Sequence, residues 1–319
     1  MRIPFLLVAL FLLATFAPPG LQRRDPPPPV SFVRFTPVAL DEEDPGLKRL
    51  GRLEFLGAWQ LTSNDARFGG ISALHVEADG LLAISDAGWR TRLPLPRGGA
   101  PVRAQIAMMR EGPGPPGDKS NRDVESLVVH GSEAWVAYEQ ANAIWRYRRP
   151  RFERRSSAAP PAMRRWDDNA GAEAMVRLPD SRFLVFAEGE GGESEVILFA
   201  GDPAAAGTAA LRLRYRPPDG YRITDAALLP DGRLALLNRK VGLFEGFTAK
   251  LTFAALPRLV EGALIAGSEA ASFEGRVTRD NFEALSVTRE GERTILWIAS
   301  DDNYNPIQRT LLMKFALVE

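Results

Sequence analysis

The stretch R-D-V-E-S-L-V-V-H-G-S-E-A-W-V-A-Y-E (122–139) decides the fold. Two short apolar runs, 126–130 and 134–138, flank Gly131-Ser132, and turn residues between β-rich runs signal a hairpin. Antiparallel pairing about a turn centred on 131–132 sets residue 125 opposite roughly residue 138. Glu125 and Glu139 therefore finish at the same end of the hairpin, remote from its turn.

The same plan recurs on both sides of this stretch. An acid or its stand-in opens an apolar run in G-G-I-S-A-L-H-V (69–76), A-G-A-E-A-M-V-R (170–177), R-I-T-D-A-A-L-L (222–229) and D-N-F-E-A-L-S-V (280–287). The key positions, Ser72, Glu125, Glu173, Asp225 and Glu283, are spaced by 53, 48, 52 and 58 residues. A strand-turn-strand period near fifty residues marks a propeller or solenoid. A second polar group follows each turn: Asp86, Glu139, Glu188, Asn238-Arg239 and Ser300-Asp301-Asp302. The returning runs, such as L-L-A-I (81–84), F-L-V-F (183–186) and I-L-W-I (295–298), are apolar throughout, as expected of strands buried between packed sheets. Long amphipathic helical patterns are scarce, which disfavours a doubly wound α/β sheet. The expectation is an all-β propeller of four-stranded blades, five in number, or six if the N-terminal segment builds a degenerate one. Residues 51–61 and 308–318 read as strands suited to closing the ring.

Bulk properties bound the function. The chain has 319 residues, 40 basic and 40 acidic side chains and no cysteine. Balanced charge gives no sign of a nucleic-acid partner, and the missing cysteines exclude disulfides, thiolate metal sites and cysteine nucleophiles. Residues 1–17 carry an apolar run of signal-peptide length, short for a spanning helix, and Thr15-Phe16-Ala17 offers a small-residue processing site. Pro18 is a poor residue after a cleavage point, so residues 1–17 read as a signal peptide or an uncleaved N-terminal anchor. Residues 18–30 contain six prolines and read as an extended spacer. Residues 31–319 are then the propeller, in the periplasm or outside the cell, and membrane contact is confined to residues 1–17 if they are retained. The propeller is expected to act as a monomer.

The non-turn ends of the hairpins converge on one mouth of the channel. Asp86, Glu125, Glu139, Glu173, Glu188, Asp225, Glu283, Asp301 and Asp302 would meet there, and so many carboxylates would raise one another's pKa values or require cations. Oxygen-only donor sets suit hard cations, Ca2+ above all, because it takes 6–8 oxygen ligands in loose geometry. The competing reading is structural: each acid accepts backbone N–H bonds or pairs with Arg90, Arg122, Arg239 or Arg309. His75 and His130 fall nearer the turn ends, which disfavours a histidine triad or a zinc site. No G-x-S-x-G and no P-loop occurs, and G-E-G-G (189–192) reads as an inter-blade loop. The arginine-rich segment 148–165 reads as a solvated outer strand and loop.

At G-G-I-S-A-L…A-I-S-D-A-G (69–88), R-D-V-E-S-L (122–127), A-E-A-M (172–175), I-T-D-A…L-P-D-G-R-L (223–234), D-N-F-E-A-L-S-V-T (280–288) and S-D-D-N-Y-N-P-I-Q-R-T-L-L (300–312), the chain resembles the bacterial phytase-like family, labelled "esterase-like activity of phytase". The resemblance implies a secreted or envelope propeller and a calcium-assisted phosphoester or ester hydrolase acting on an anionic small molecule. On that expectation Asp86, Glu125, Glu173, Asp225, Glu283 and Asp302 hold metal. Glu139, Glu188 and Asp301 are the candidates to orient water, and Arg122, Arg239, Lys240 and Arg309 to contact substrate. Ser72 and Asn238 depart from an all-acid ring. The alternatives are a non-catalytic envelope propeller that binds a ligand or partner protein, and a lactone hydrolase using the same ring.

Overall fold

The computed structural model describes residues 26–115, 122–167, 171–189 and 192–318. The leader, most of the proline-rich spacer and the centre of the 189–192 loop lie outside the described residues. Apart from a 3-10 turn at Pro161–Met163, every named element is a β-strand.

The chain begins with β1 (Ser31–Val38), β2 (Arg49–Leu50) and β3 (Leu53–Ser63). Four up-and-down strands follow, β4 (Ile71–Glu77), β5 (Gly80–Ser85), β6 (Trp89–Leu93) and β7 (Val102–Met108), then four more, β8 (Val124–His130), β9 (Glu133–Tyr138), β10 (Ala143–Arg148) and β11 (Glu153–Ala158). The third set is β12 (Ala172–Arg177), β13 (Phe183–Ala187), β14 (Ser194–Phe199) and β15 (Ala210–Arg216). The fourth is β16 (Arg222–Leu228), β17 (Leu234–Gly242) and β18 (Gly246–Ala254), completed by β20 (Ser268–Phe273) after the short β19 (Leu264–Ala266), which pairs in parallel with β15. The last set is β21 (Phe282–Glu290), β22 (Arg293–Ser300) and β23 (Leu311–Leu317).

The expected closure is observed. β3, from the N-terminal part of the chain, pairs antiparallel with β23 and supplies the outer strand that the last set lacks. The N-terminal β1 builds no sheet of its own. It pairs with β3 on one side and β7 on the other, joining the outer edges of two neighbouring sheets into one ten-stranded sheet. At the centre β4 touches β8, β8 touches β12, β12 touches β16, β16 touches β21, and β21 returns to β4. This ring of first strands about an axis, with each sheet running outward from it, is a β-propeller.

Each pair of adjacent sheets encloses an apolar layer. Between the fourth and last sheets, Phe253, Phe273, Phe282, Leu296 and Phe315 are all buried, with the Phe273 and Phe282 rings 5.2 Å apart and edge-on. Trp135, Phe183 and Ile197 fill the layer between the second and third. Burying each such side chain stabilises the fold by roughly 1.5–3 kcal/mol. The runs that read as apolar on both faces, β5, β13 and β22, are buried along nearly their whole length because a sheet packs on either side.

Candidate metal and substrate site

Every first strand carries a β-bulge at the same place. Register is interrupted between Ile71 and Ala73, Val124 and Ser126, Ala172 and Ala174, Ile223 and Asp225, and Phe282 and Ala284. The unpaired residues are Ser72, Glu125, Glu173, Thr224 and Glu283. A bulge re-aims its extra side chain and ends regular pairing, and here Ser72, Glu125, Glu173 and Glu283 are aimed into an axial cavity of about 260 Å³. The residue before each bulge pairs with Ser85, Tyr138, Ala187, Asn238 or Ser300 on the second strand. The next residue along is Asp86, Glu139, Glu188, Arg239 or Asp301, and all five line the cavity. Two glycines make room for this second ring. A Cβ at Gly70 would meet Asp86 Oδ1 at 2.6 Å, and one at Gly171 would meet Glu139 Cγ at 2.7 Å.

Most of the expected site residues therefore converge. Asp86, Glu125, Glu173 and Glu283 of the expected metal set line the cavity, as do Glu139, Glu188 and Asp301. Asp225 does not. The bulged residue of its strand is Thr224, whose hydroxyl donates to the Phe282 carbonyl at 3.1 Å. One residue on, Asp225 turns toward the neighbouring first strand and accepts the N–H groups of Leu285 (2.6 Å) and Ala226 (2.7 Å). Asp302 also lies apart from the cavity lining: its carboxylate accepts from Gly70 N, Tyr304 N and Thr310 Oγ1 and clamps the C-terminal turn to the 69–70 corner.

The expected basic wall is not assembled. The buried Arg122 guanidinium donates to the carbonyls of Met109, Arg110, Pro113 and Gly114 and holds that loop. Arg309 pairs with Asp280 at 3.3 Å beside a separate groove. Lys240 Nζ lies 5.9 Å from the Tyr221 ring centre, and Arg90 reaches the Pro150 carbonyl. Among the described residues Arg239 alone lines the cavity as a cation. It donates to Glu283 and to Asn281 Oδ1, and its second terminal nitrogen stands 3.6 Å from Glu188, which also meets Arg222 at 3.4 Å. Both histidines lie at the other end of the axis, in a shallow opening formed by the turn-proximal parts of the first strands.

Two residues escaped the sequence reading. Asp123 and Asn281 stand two positions before the bulge, where other repeats have Gly70, Gly171 and Arg222, and both line the cavity. That position carries Gly, Asp, Gly, Arg and Asn in the five repeats, so no shared residue type marks it in the sequence.

The electrostatics follow from this crowding. Among the described residues, eight carboxylates, of Asp86, Asp123, Glu125, Glu139, Glu173, Glu188, Glu283 and Asp301, face one guanidinium. Burial, reinforced by Glu173, Asp123 and Glu139, holds the Glu125 carboxyl well above the usual carboxylate range. Burial with Glu188 and Glu139 does the same to Glu173, and burial with Glu283 and Asp86 to Asp301. Burial also raises Glu188, against the pull of Arg239 and Arg222. Such a set must keep protons or take up a cation. Asp123, Glu125 and Glu139 can each offer an oxygen within 4.8 Å of the other two, an all-oxygen donor set that fits a hard divalent ion.

The profile of the phytase-like family, described as esterase-like activity of phytase, matches residues 66–304. The chain belongs to the phytase-like family. The match spans all five bulged first strands and both polar rings of this phytase-like propeller. No curated protein matches the sequence. Among solved structures it is similar to a glutaminyl cyclase from Myxococcus xanthus, at 10% identity and TM-score 0.45 over 85% of this chain and 100% of the other. It is also similar to the Cps50 (Swd1) β-propeller domain from Myceliophteria thermophila, at 10% identity and TM-score 0.42 over 91% of this chain and 100% of the other. No helix among the described residues is long and apolar enough to cross a membrane.

Proposed function

We propose that this phytase-like protein is a five-bladed propeller, exported behind residues 1–17, that hydrolyses a small phosphoester or ester with the help of Ca2+ in its axial cavity. The observation that carries the reading is the confinement, among the described residues, of eight carboxylates with a single arginine around a cavity of about 260 Å³. Asp123, Glu125 and Glu139 would hold the ion, with Glu173 and Asp86 beside them. When bound, Ca2+ would offset the carboxylate charge and polarise an oxygen of the substrate.

The chain's own residues supply the rest. Hydrolysis adds water across the ester bond: its oxygen joins phosphorus or the acyl carbon, and a proton goes to the departing alcohol. Glu188 and Asp301, whose burial raises their proton affinity, suit accepting and returning that proton. Arg239, the one cation in the lining, suits an anionic oxygen of the substrate, and Asn281 and Glu283 keep its guanidinium in place. The carboxylate excess argues against a polyanionic substrate.

Calcium titration of the protein from residue 26 onward tests this, read by calorimetry and melting temperature and followed by turnover of phosphomonoesters and carboxylic esters. Calcium should bind, raise the melting temperature by mass action, and support turnover. A protein without calcium-dependent turnover across that panel would not be a hydrolase of this kind.

A further inference from the structure

One second strand outruns the others at the mouth. β5, β9, β13 and β22 all stop at the residue paired across from the bulge: Ser85, Tyr138, Ala187 and Ser300. β17 passes the corresponding Asn238 and continues through Arg239, Lys240, Val241 and Gly242, paired with β18 to the end. Four extra residues of strand extend the hairpin by about 13 Å beyond the point where the other second strands end.

This overhang is apolar where it could be polar. Val241 is 41% exposed, Leu243 52% and Phe244 90%, although nothing in a solvated hairpin tip calls for three large hydrophobic side chains. Val241 and Phe247 line the acidic cavity. Phe247 also lines the neighbouring groove of about 550 Å³, whose far side carries Ile307, itself 60% exposed. The two spaces thus share a wall, and together they have the size of a small-molecule site. The hairpin's turn is held from below: Arg279 donates to the carbonyls of Phe247 (3.1 Å) and Glu245 (3.2 Å). Arg309 holds Arg279 in turn, through its carbonyl at 3.0 Å.

We propose that the β17–β18 overhang, with Phe247 one pair from its turn and Ile307 across the groove, binds the apolar body of the substrate while its ester group enters the acidic cavity. The substrate is then an aryl or alkyl phosphomonoester or ester, and not a highly phosphorylated polyol. This inference rests on the hydrolase reading above for its chemistry, but its binding part is separable. An apolar body covers the exposed side chains, and a single anionic group is what one arginine can match.

The test compares 1-naphthyl phosphate with glycerol 2-phosphate in the presence of Ca2+, together with calorimetric binding of benzylphosphonate, which is not hydrolysed. The variants are Phe247→Ala and the double change Leu243→Ser, Phe244→Ser, whose exposed positions spare the fold. The wild type should prefer the naphthyl ester. Both variants should lose roughly tenfold in kcat/KM for it, mainly through KM, and weaken benzylphosphonate to a similar degree, while glycerol phosphate loses clearly less. Equal turnover of the two esters, or equal losses on both, overturns the inference and leaves the hydrolase reading standing. A wild type that hydrolyses neither, yet binds benzylphosphonate through the tip, overturns the hydrolase reading and keeps the apolar site. A wild-type dimer that the double variant makes monomeric, with KM unchanged, assigns the tip to a second copy and overturns the inference.

Discussion

Arg239 donates to the carboxylate of Glu283, the bulged residue of the neighbouring first strand, inside the axial cavity. It does so from the position at which the other four repeats carry Asp86, Glu139, Glu188 and Asp301. One repeat has thus exchanged an acid for a tethered cation, and its bulge residue is the uncharged Thr224. The exchange makes the ring lopsided. The side near Glu283 and Glu188 is neutralised from within, by Arg239 and Arg222. Burial opposes the charge on Arg239, but Glu283, Glu173 and Glu188 more than restore it, so the guanidinium stays protonated.

Replacing Arg239 by Gln removes this internal cation and leaves Glu283 and Glu188 without it. Breaking a buried ion pair from one side costs about 3–5 kcal/mol. The calcium-free variant should therefore melt lower than the parent, and calcium should recover more of the loss than it gains for the parent. Calorimetry should also find extra cation uptake. A variant with the parent's melting temperature and the parent's calcium stoichiometry would show that Arg239 balances no charge in the cavity.

Glu173→Gln separates folding from function. Its carboxyl is buried and carries a raised proton affinity, so a neutral isostere removes a repulsive charge and should leave calcium-free stability equal or slightly higher. The stabilisation by calcium should shrink, and turnover should fall by about 100-fold or more. Unchanged turnover in a folded variant takes Glu173 out of the mechanism.

The raised carboxyls also fix the sign of the pH dependence. Glu125, Glu173 and Asp301 all hold their protons more tightly in the folded chain than in the unfolded one. Their contribution to stability is whole below the ordinary carboxylate range and is lost as pH rises through the elevated folded values. Without calcium, the denaturation midpoint should therefore climb as pH is lowered from neutral toward about 5. With saturating calcium the slope should flatten or reverse, because the ion competes with the protons. A calcium-free midpoint that falls over this interval contradicts the raised affinities.

The repeat was legible because a hairpin projects its chemistry onto sequence. An acid, an apolar run, a turn and a returning run put Glu125 with Glu139, and Glu173 with Glu188, before any coordinate was known. Closure by the strands near 51–61 and 308–318 was legible too, since both are β-rich and otherwise unpaired. The bulge was not. It adds one residue without altering composition, so in I-T-D-A the acid drew the eye to Asp225, while the position that faces the axis is Thr224. Asp225 instead serves as a latch between first strands, a role that depends on where backbone N–H groups of another repeat fall. The basic wall failed for a related reason. Arginines such as Arg122 and Arg309 look like anion ligands in sequence, but their partners are carbonyls and a carboxylate brought near by loops whose course no local pattern encodes.

Arg122→Met gives the plainest separation of a structural from a substrate-binding arginine. Its guanidinium satisfies the carbonyls of Met109, Arg110, Pro113 and Gly114 from a buried position, with Met109 Oat 2.5 Å. Methionine fills much of the same volume but donates nothing, so those carbonyls lose a charged donor, at about 1.5–3 kcal/mol for each strong bond before relaxation. A drop of roughly 3 kcal/mol in unfolding free energy is expected, read from denaturant midpoints at constant slope. KM for any turned-over substrate should stay within about twofold at temperatures where the variant is folded, because the cavity lining does not include this side chain. A stable variant with a raised KM would return Arg122 to the substrate site.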